Sequence, residues 1–130
     1  MKTKNDKFVI LDLFSGAGGF SYGMEQNSHF TTAIALDFNE KALQTFKYNM
    51  PETDTICGDI TDSRIKEQII TLSKEKCVNM IIGGPPCQGY SLKGKKLGLN
   101  DPRNYLFNEY LDIVSKLSPE VFVIENVKAL

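Results

Sequence analysis

Short apolar runs alternate with amphipathic stretches along the whole chain. Phe8-Val9-Ile10-Leu11-Asp12-Leu13-Phe14 is nearly continuous in apolar character, which suits a parallel strand buried on both faces, and it opens into Ser15-Gly16-Ala17-Gly18-Gly19. A helix is predicted from about Gly19 to Gln26. Thr31 to Leu36 reads as the second strand, with Asp37 at its end. Asn39 then offers an N-cap to a helix carrying Ala42, Leu43, Phe46 and Tyr48 as far as about Asn49, where Pro51 stops it. Thr53 to Cys57 is a weak third strand that runs into Gly58-Asp59-Ile60, and Asp62 or Ser63 caps a helix with Ile65, Ile69, Ile70 and Leu72 at helical spacing. Cys77 to Ile82 is the fourth strand. A helix from about Tyr105 to Leu117 places Leu106, Tyr110, Ile113, Val114 and Leu117 on one face, and Pro119 separates it from a fifth strand, Val121 to Glu125. This alternation of strand and helix implies right-handed crossovers and a doubly wound, mostly parallel α/β sheet.

In such a sheet the carboxyl ends of the strands lie along one edge, so the residues that follow each strand converge. The first turn supplies Phe14, Gly16, Gly18 and Gly19, whose free backbone permits close approach, and Asp37 follows at the end of the second strand, where an acid binds ribose hydroxyls. The pair signals a nucleoside cofactor. Ser21 stands near the place of a third glycine, which makes hydride transfer the poorer fit. Asp59 reads two ways, as acceptor for an adenine amino group or as a helix-leading cap.

After the fourth strand comes Gly83-Gly84-Pro85-Pro86-Cys87-Gln88-Gly89-Tyr90-Ser91. The glycines let the backbone turn sharply, and the prolines fix φ at about −65° on the approach to one cysteine. The thiol is either packed in an ordinary turn or held as a nucleophile on a stiffened loop. Glu125, after Val121-Phe122-Val123-Ile124, is either a solvent-facing terminus or an acid directed into a polar cleft. A thiol after one strand and a carboxyl group after its neighbour make a nucleophile beside an acid the sharper reading.

Composition narrows the field. At 130 residues, with 42% apolar and 24% charged residues, the sequence fits one soluble domain. A net charge of −1 leaves no global attraction for nucleic acid, so any such attraction is local or lies in another segment. Lys93-Gly94-Lys95-Lys96 is the basic cluster nearest the cysteine loop, in a polar segment, Lys93 to Asn104, long enough for a lid or a plain surface loop. Three cysteines without a close pair and a single histidine argue against zinc, and no metal is expected. Met1 to Lys7 is polar and no run reaches membrane-spanning length, so a cytoplasmic protein with reduced thiols and no membrane partner is expected.

Asp12-Leu13-Phe14-Ser15-Gly16-Ala17-Gly18-Gly19-Phe20, then Gly83 to Ser91, then Glu125-Asn126-Val127 resemble three sequence blocks of the cytosine-carbon-5 DNA methyltransferases, in their order and spacing. The Pro-Pro-Cys-Gln block is the most specific of the three, whereas the glycine turn is shared with many methyltransferases. The resemblance implies a Rossmann-like sheet and S-adenosylmethionine as cofactor. Phe14, Ser15, Gly16, Gly18 and Gly19 would line its site, Asp37 would bind the ribose, Phe38 would cover an adenine face, and Asp59 with Ile60 would flank the adenine. Pro85 and Leu106 would complete the contacts. Cys87 would be the nucleophile and Glu125 would contact ring nitrogen 3 of the cytosine, flipped out of double-stranded DNA.

The same resemblance implies that the family's pattern continues beyond Leu130, with an arginine-bearing block, a target-recognition region and a closing block. Residues 1–130 are therefore read as the N-terminal part of the catalytic domain of a bacterial-type modification methylase. The chain alone is expected to be inactive, and to associate along its fifth strand with a complementary C-terminal chain or with another copy. A tRNA cytosine methyltransferase, a cofactor-binding subunit without catalysis and a nicotinamide oxidoreductase are the alternative readings.

Overall fold

Each apolar run forms a strand, and the three central strands are bonded along both edges. The computed structural model describes residues 7–86 and 104–125. In chain order the elements are β1 (Phe8–Leu13), α1 (Gly19–Glu25), β2 (Phe30–Asp37), α2 (Glu40–Asn49), β3 (Asp54–Cys57), α3 (Ser63–Glu75), β4 (Met80–Gly83), α4 (Tyr105–Leu117) and β5 (Val121–Ile124). The strands form one sheet in the order β3-β2-β1-β4-β5, and every pairing is parallel. The chain steps outward from β1 to β3, then returns to the far side of β1, so the strand order reverses between β1 and β4. In a doubly wound sheet the crevice at that reversal is the ligand site.

The periodicity of β1 explains both layers of the core. Leu11 and Leu13 share a face with Ile34, Leu36 and Ile81 and are covered by Ile69 of α3 and by Tyr110 and Ile113 of α4. Ile10 shares the opposite face with Met80 and Ile82, against Phe20 and Met24 of α1. Ala35 on that side meets Leu43 and Phe46 of α2 and Met50. The expected caps are in place: the Asn39 side chain accepts from the Ala42 N–H at 3.1 Å, and Asp62 accepts from the Arg64 N–H at 2.9 Å. Lys66 of α3 pairs with Glu109 and, at 2.9 Å, with Asp112 of α4, tying the two helices together.

The fourth strand starts later than the apolar pattern predicts, at Met80 rather than Cys77. The difference lies in how α3 ends. Cys77 has φ 58°, its N–H donates to the Lys74 carbonyl, and the Val78 N–H donates to the Ser73 carbonyl. Cys77 and Val78 thus close the helix in a Schellman arrangement before extended chain begins. Asn79 then fills the ladder with its side chain, accepting from the Val9 N–H at 2.8 Å.

Among the described residues β5 pairs only with β4, and Val121 and Phe122 are exposed. What holds this edge is Tyr110. Its hydroxyl donates to the Val123 carbonyl at 2.8 Å and lies 3.3 Å from the Ile81 carbonyl, and its ring packs against Phe122. A side chain at Gly83 would meet the Leu13 carbonyl and would lie 2.9 Å from the Tyr110 ring, so a glycine is required where strand and tyrosine approach so closely. Tyr110→Phe keeps the ring and removes the hydroxyl, and is expected to lower unfolding stability by about 1 kcal/mol. Urea denaturation reads this as a lower midpoint with an unchanged slope; an unchanged midpoint would contradict the role given to the hydroxyl.

Candidate functional site

The chain leaves β1 through backbone conformations that favour glycine. Phe14 has φ 58°, Gly16 φ 55° and Gly18 φ 97°. The turn is closed by Ser15 N–H donating to the Leu36 carbonyl at 3.0 Å and Gly18 N–H donating to the Ser15 carbonyl at 3.1 Å. Gly18 is required twice over, by its backbone and by packing, because a Cβ there would lie 2.6 Å from the Phe46 ring. A Cβ at Gly16 or Gly19 would meet nothing, so open space faces both. The Asp37 carboxylate is held from two sides: Oδ1 accepts from the Gly16 N–H at 3.2 Å, and Oδ2 accepts from the Asn39 N–H at 2.9 Å. Each oxygen retains a lone pair for a further donor.

Two cavities open at this edge of the sheet. The first, about 290 Å³, brings together Phe14, Asp37, Phe38, Asp59, Ile60 and Leu106, six of the residues expected at a cofactor site. Leu36, Gly58, Pro86 and Tyr105 also line it. Pro86 thus lines this cavity, while Pro85 beside it is buried. Asp59 Oδ1 accepts from the Thr61 N–H at 2.8 Å and the Thr61 hydroxyl at 2.7 Å, and these bonds hold its carboxyl below the usual carboxylate range. The cap of α3 is Asp62, so Asp59 orders its own turn and keeps Oδ2 for the cavity.

The second cavity, about 470 Å³, is lined by Asp12, Phe14, Ser15, Phe20, Gly84 and Glu125. Phe14 is common to both. Glu125 donates its N–H to the Gly83 carbonyl at 2.9 Å, and a Cβ built on Gly84 would lie 2.7 Å from Glu125 Oε2. The carboxyl group therefore borders a cleft beside the segment that leads to the cysteine. Cys87 and the Lys93–Lys96 cluster lie outside the described residues, where Pro86 ends the first described stretch.

Asp12 was not singled out by sequence reasoning. It is a buried acid lining the second cavity, and the Ser21 hydroxyl donates to its Oδ2 at 2.6 Å. Burial pushes its pKa up to about 7, against the lowering effect of the Ser21 bond and with a further rise from the Asp37 charge. The bond also explains a serine where a dinucleotide turn would have glycine. An acid inside a strand buried on both faces was the signal for it. Among the described residues no cluster of three or more histidine, cysteine or acidic side chains could hold a metal, and no helix is long and apolar enough to cross a membrane.

The three blocks and the two cavities lie within a match to the family model for C-5 cytosine-specific DNA methylases, which extends over residues 8–130. The chain belongs to this family. Type II methyltransferase M.AquIA of Picosynechococcus sp. is 42% identical over 125 residues, a match that covers 93% of this chain and 49% of the relative. Type II methyltransferase M.XorII of Xanthomonas oryzae pv. oryzae is 41% identical over 124 residues, covering 94% of this chain and 28% of the relative. Among solved structures, a chain described as a prophage-encoded DNA modification methyltransferase of E. coli superposes with a TM-score of 0.73 at 32% identity, covering 93% of this chain and 32% of that one. A Spodoptera frugiperda DNMT2 variant superposes with a TM-score of 0.63 at 30% identity, covering 94% and 36%. The chain thus spans about half the length of these relatives, or less.

The sheet is the Rossmann-like sheet of S-adenosylmethionine-dependent methyltransferases, and that compound is the family's methyl donor. The described residues fit it. The first cavity has apolar walls at Leu36, Ile60 and Leu106, an anchored acceptor at Asp37 for a diol and another at Asp59 for an amino group.

The environment of Asp12 sets a pH dependence. Its pKa is higher folded than the ordinary 3.8, so the stability it confers is full below 3.8 and is lost as pH rises through about 7. That interval corresponds to at most about 4 kcal/mol. Asp12→Asn, which keeps an acceptor for Ser21, is expected to be more stable than the parent at pH 8 and to lose most of that advantage at pH 5. Denaturant titrations at the two pH values check this; an advantage independent of pH would contradict it.

Proposed function

We propose that this chain is the N-terminal part of the catalytic domain of a DNA cytosine-5 methyltransferase of the bacterial modification type. The observation that carries the reading is the pair of cavities meeting at Phe14, one with the acceptors of a nucleoside site and the other bordered by Glu125 and by the segment leading to Cys87. When bound, S-adenosylmethionine supplies an electrophilic methyl group on a sulfonium. Phe14, Ser15, Gly16, Gly18 and Gly19 form the turn against it, Asp37 takes the ribose hydroxyls, Phe38, Asp59 and Ile60 enclose the adenine, and Leu106 adds a further contact with the cofactor.

The remaining chemistry belongs to the second cavity. Carbon 5 of cytosine is a poor nucleophile, and the Cys87 thiolate remedies this by bonding to carbon 6. Glu125, as donor or hydrogen-bond partner at ring nitrogen 3, stabilises the electron density that the addition pushes into the ring. Once carbon 5 carries the methyl group, it loses its proton, the bond to sulfur breaks and Cys87 is released. An ordinary cysteine is only a few per cent thiolate at pH 7, so Cys87 needs local activation. The base is inaccessible to both groups inside a duplex and must be flipped.

Two outcomes are expected. In the active protein Cys87→Ala abolishes transfer to DNA while leaving cofactor binding nearly unchanged, and DNA bearing 5-fluorocytosine forms a denaturant-stable adduct only when Cys87 is present. Transfer retained without Cys87, or methylation of tRNA in place of duplex DNA, would overturn the reading. Asp37→Ala removes a charge-assisted bond to the ribose and is expected to weaken S-adenosylmethionine binding roughly ten- to a hundredfold. Calorimetry checks this, and unchanged affinity would remove Asp37 from the site.

A further inference from the structure

The first cavity has an aromatic wall that the family resemblance did not supply. Tyr105 is the first residue of α4, and α4 packs antiparallel to the strands, which puts its start at their carboxyl edge. Side chains on a helix tilt toward its N-terminus, so the ring of a first-turn residue projects beyond the helix end. That direction is into the rim of the cavity, where Tyr105 is 54% exposed. Phe38, which follows β2, lines the same cavity and is 79% exposed.

The contrast with Tyr110 on the same helix is informative. Tyr110 is buried, with its hydroxyl bonded to strand carbonyls and its ring on Phe122. Neither Tyr105 nor Phe38 pairs with another ring among the described residues. Two large aromatic side chains are thus left in water at the rim of a cavity whose interior is aliphatic, at Leu36, Ile60 and Leu106. A flat heteroaromatic ligand would cover both and gain stacking area.

We propose that Tyr105 is a cofactor-binding residue that stacks on the adenine, so that the purine is held between aromatic side chains from two separate elements, Phe38 after β2 and Tyr105 on α4. The proposal rests on the first cavity being the nucleoside site. It makes the grip on the base depend on the ring of Tyr105 and not on its hydroxyl.

The test is calorimetric titration of the purified protein with S-adenosylhomocysteine, for the parent, Tyr105→Ala and Tyr105→Phe. Loss of one base–aromatic stack is expected to weaken binding roughly tenfold in Tyr105→Ala, while Tyr105→Phe stays within about twofold. An alanine variant that binds as tightly as the parent overturns the proposal and leaves the nucleoside site standing. A parent protein that binds no S-adenosylhomocysteine overturns the site and the proposal together. Should the alanine variant fold poorly, the parent still decides: the ring protons of Tyr105, identified by their loss or shift in Tyr105→Phe, move upfield on titration if the purine stacks there. Ring signals that stay still at saturating ligand would contradict the assignment.

Discussion

The site depends on β1 being hydrogen-bonded along both edges and covered on both faces. A strand in that position has no freedom at its carboxyl end: β2 and β4 fix it laterally, and Leu11 and Leu13 on one side and Ile10 on the other fix its tilt. The chain can leave only by turning out of the sheet plane, and left-handed backbone at Phe14, Gly16 and Gly18 accomplishes that. Phe14 is a non-glycine residue held there because its carboxyl-side neighbours are bonded to β2 and to the turn itself. Its ring becomes the partition between two cavities.

The partition organises the charges. Asp37 and Asp59 line the first cavity, each oriented by a backbone N–H, while Asp12 and Glu125 line the second. Asp12 is a buried carboxyl balanced near neutrality, an expensive choice inside a core, and its hydroxyl partner Ser21 offsets only part of the cost of burial. Tyr110 acts at the other end of the arrangement. By joining the β4 and β5 backbones it fixes the spacing between the segment entering the cysteine loop and the strand that ends at Glu125.

Much of this was legible in the sequence because parallel sheets advertise themselves. The apolar runs, the caps at Asn39 and Asp62, and the acids at 37, 59 and 125 each follow from local pattern. Where the reading failed, the cause lay outside the hydrophobic pattern. Cys77 and Val78 look like strand but close α3, since this helix ends through a left-handed residue and that residue is Cys77. Asp12 lies inside a motif whose glycines carry the local signal. The depth of its burial depends on α1 packing back over β1, a tertiary fact. Tyr105 was invisible because helix periodicity sorts residues by face, and a first-turn residue at a cavity rim belongs to neither face.

In the proposed arrangement Phe14 divides a nucleoside cavity from a reaction cavity. A crystal structure of the protein with S-adenosylhomocysteine tests it most directly. Adenine is expected in the cavity of Asp59 and Ile60, the ribose hydroxyls on Asp37, and the sulfur past Phe14, facing the cavity that Glu125 borders. Adenine bound instead over Glu125, or a ligand that occupies neither cavity, would contradict it.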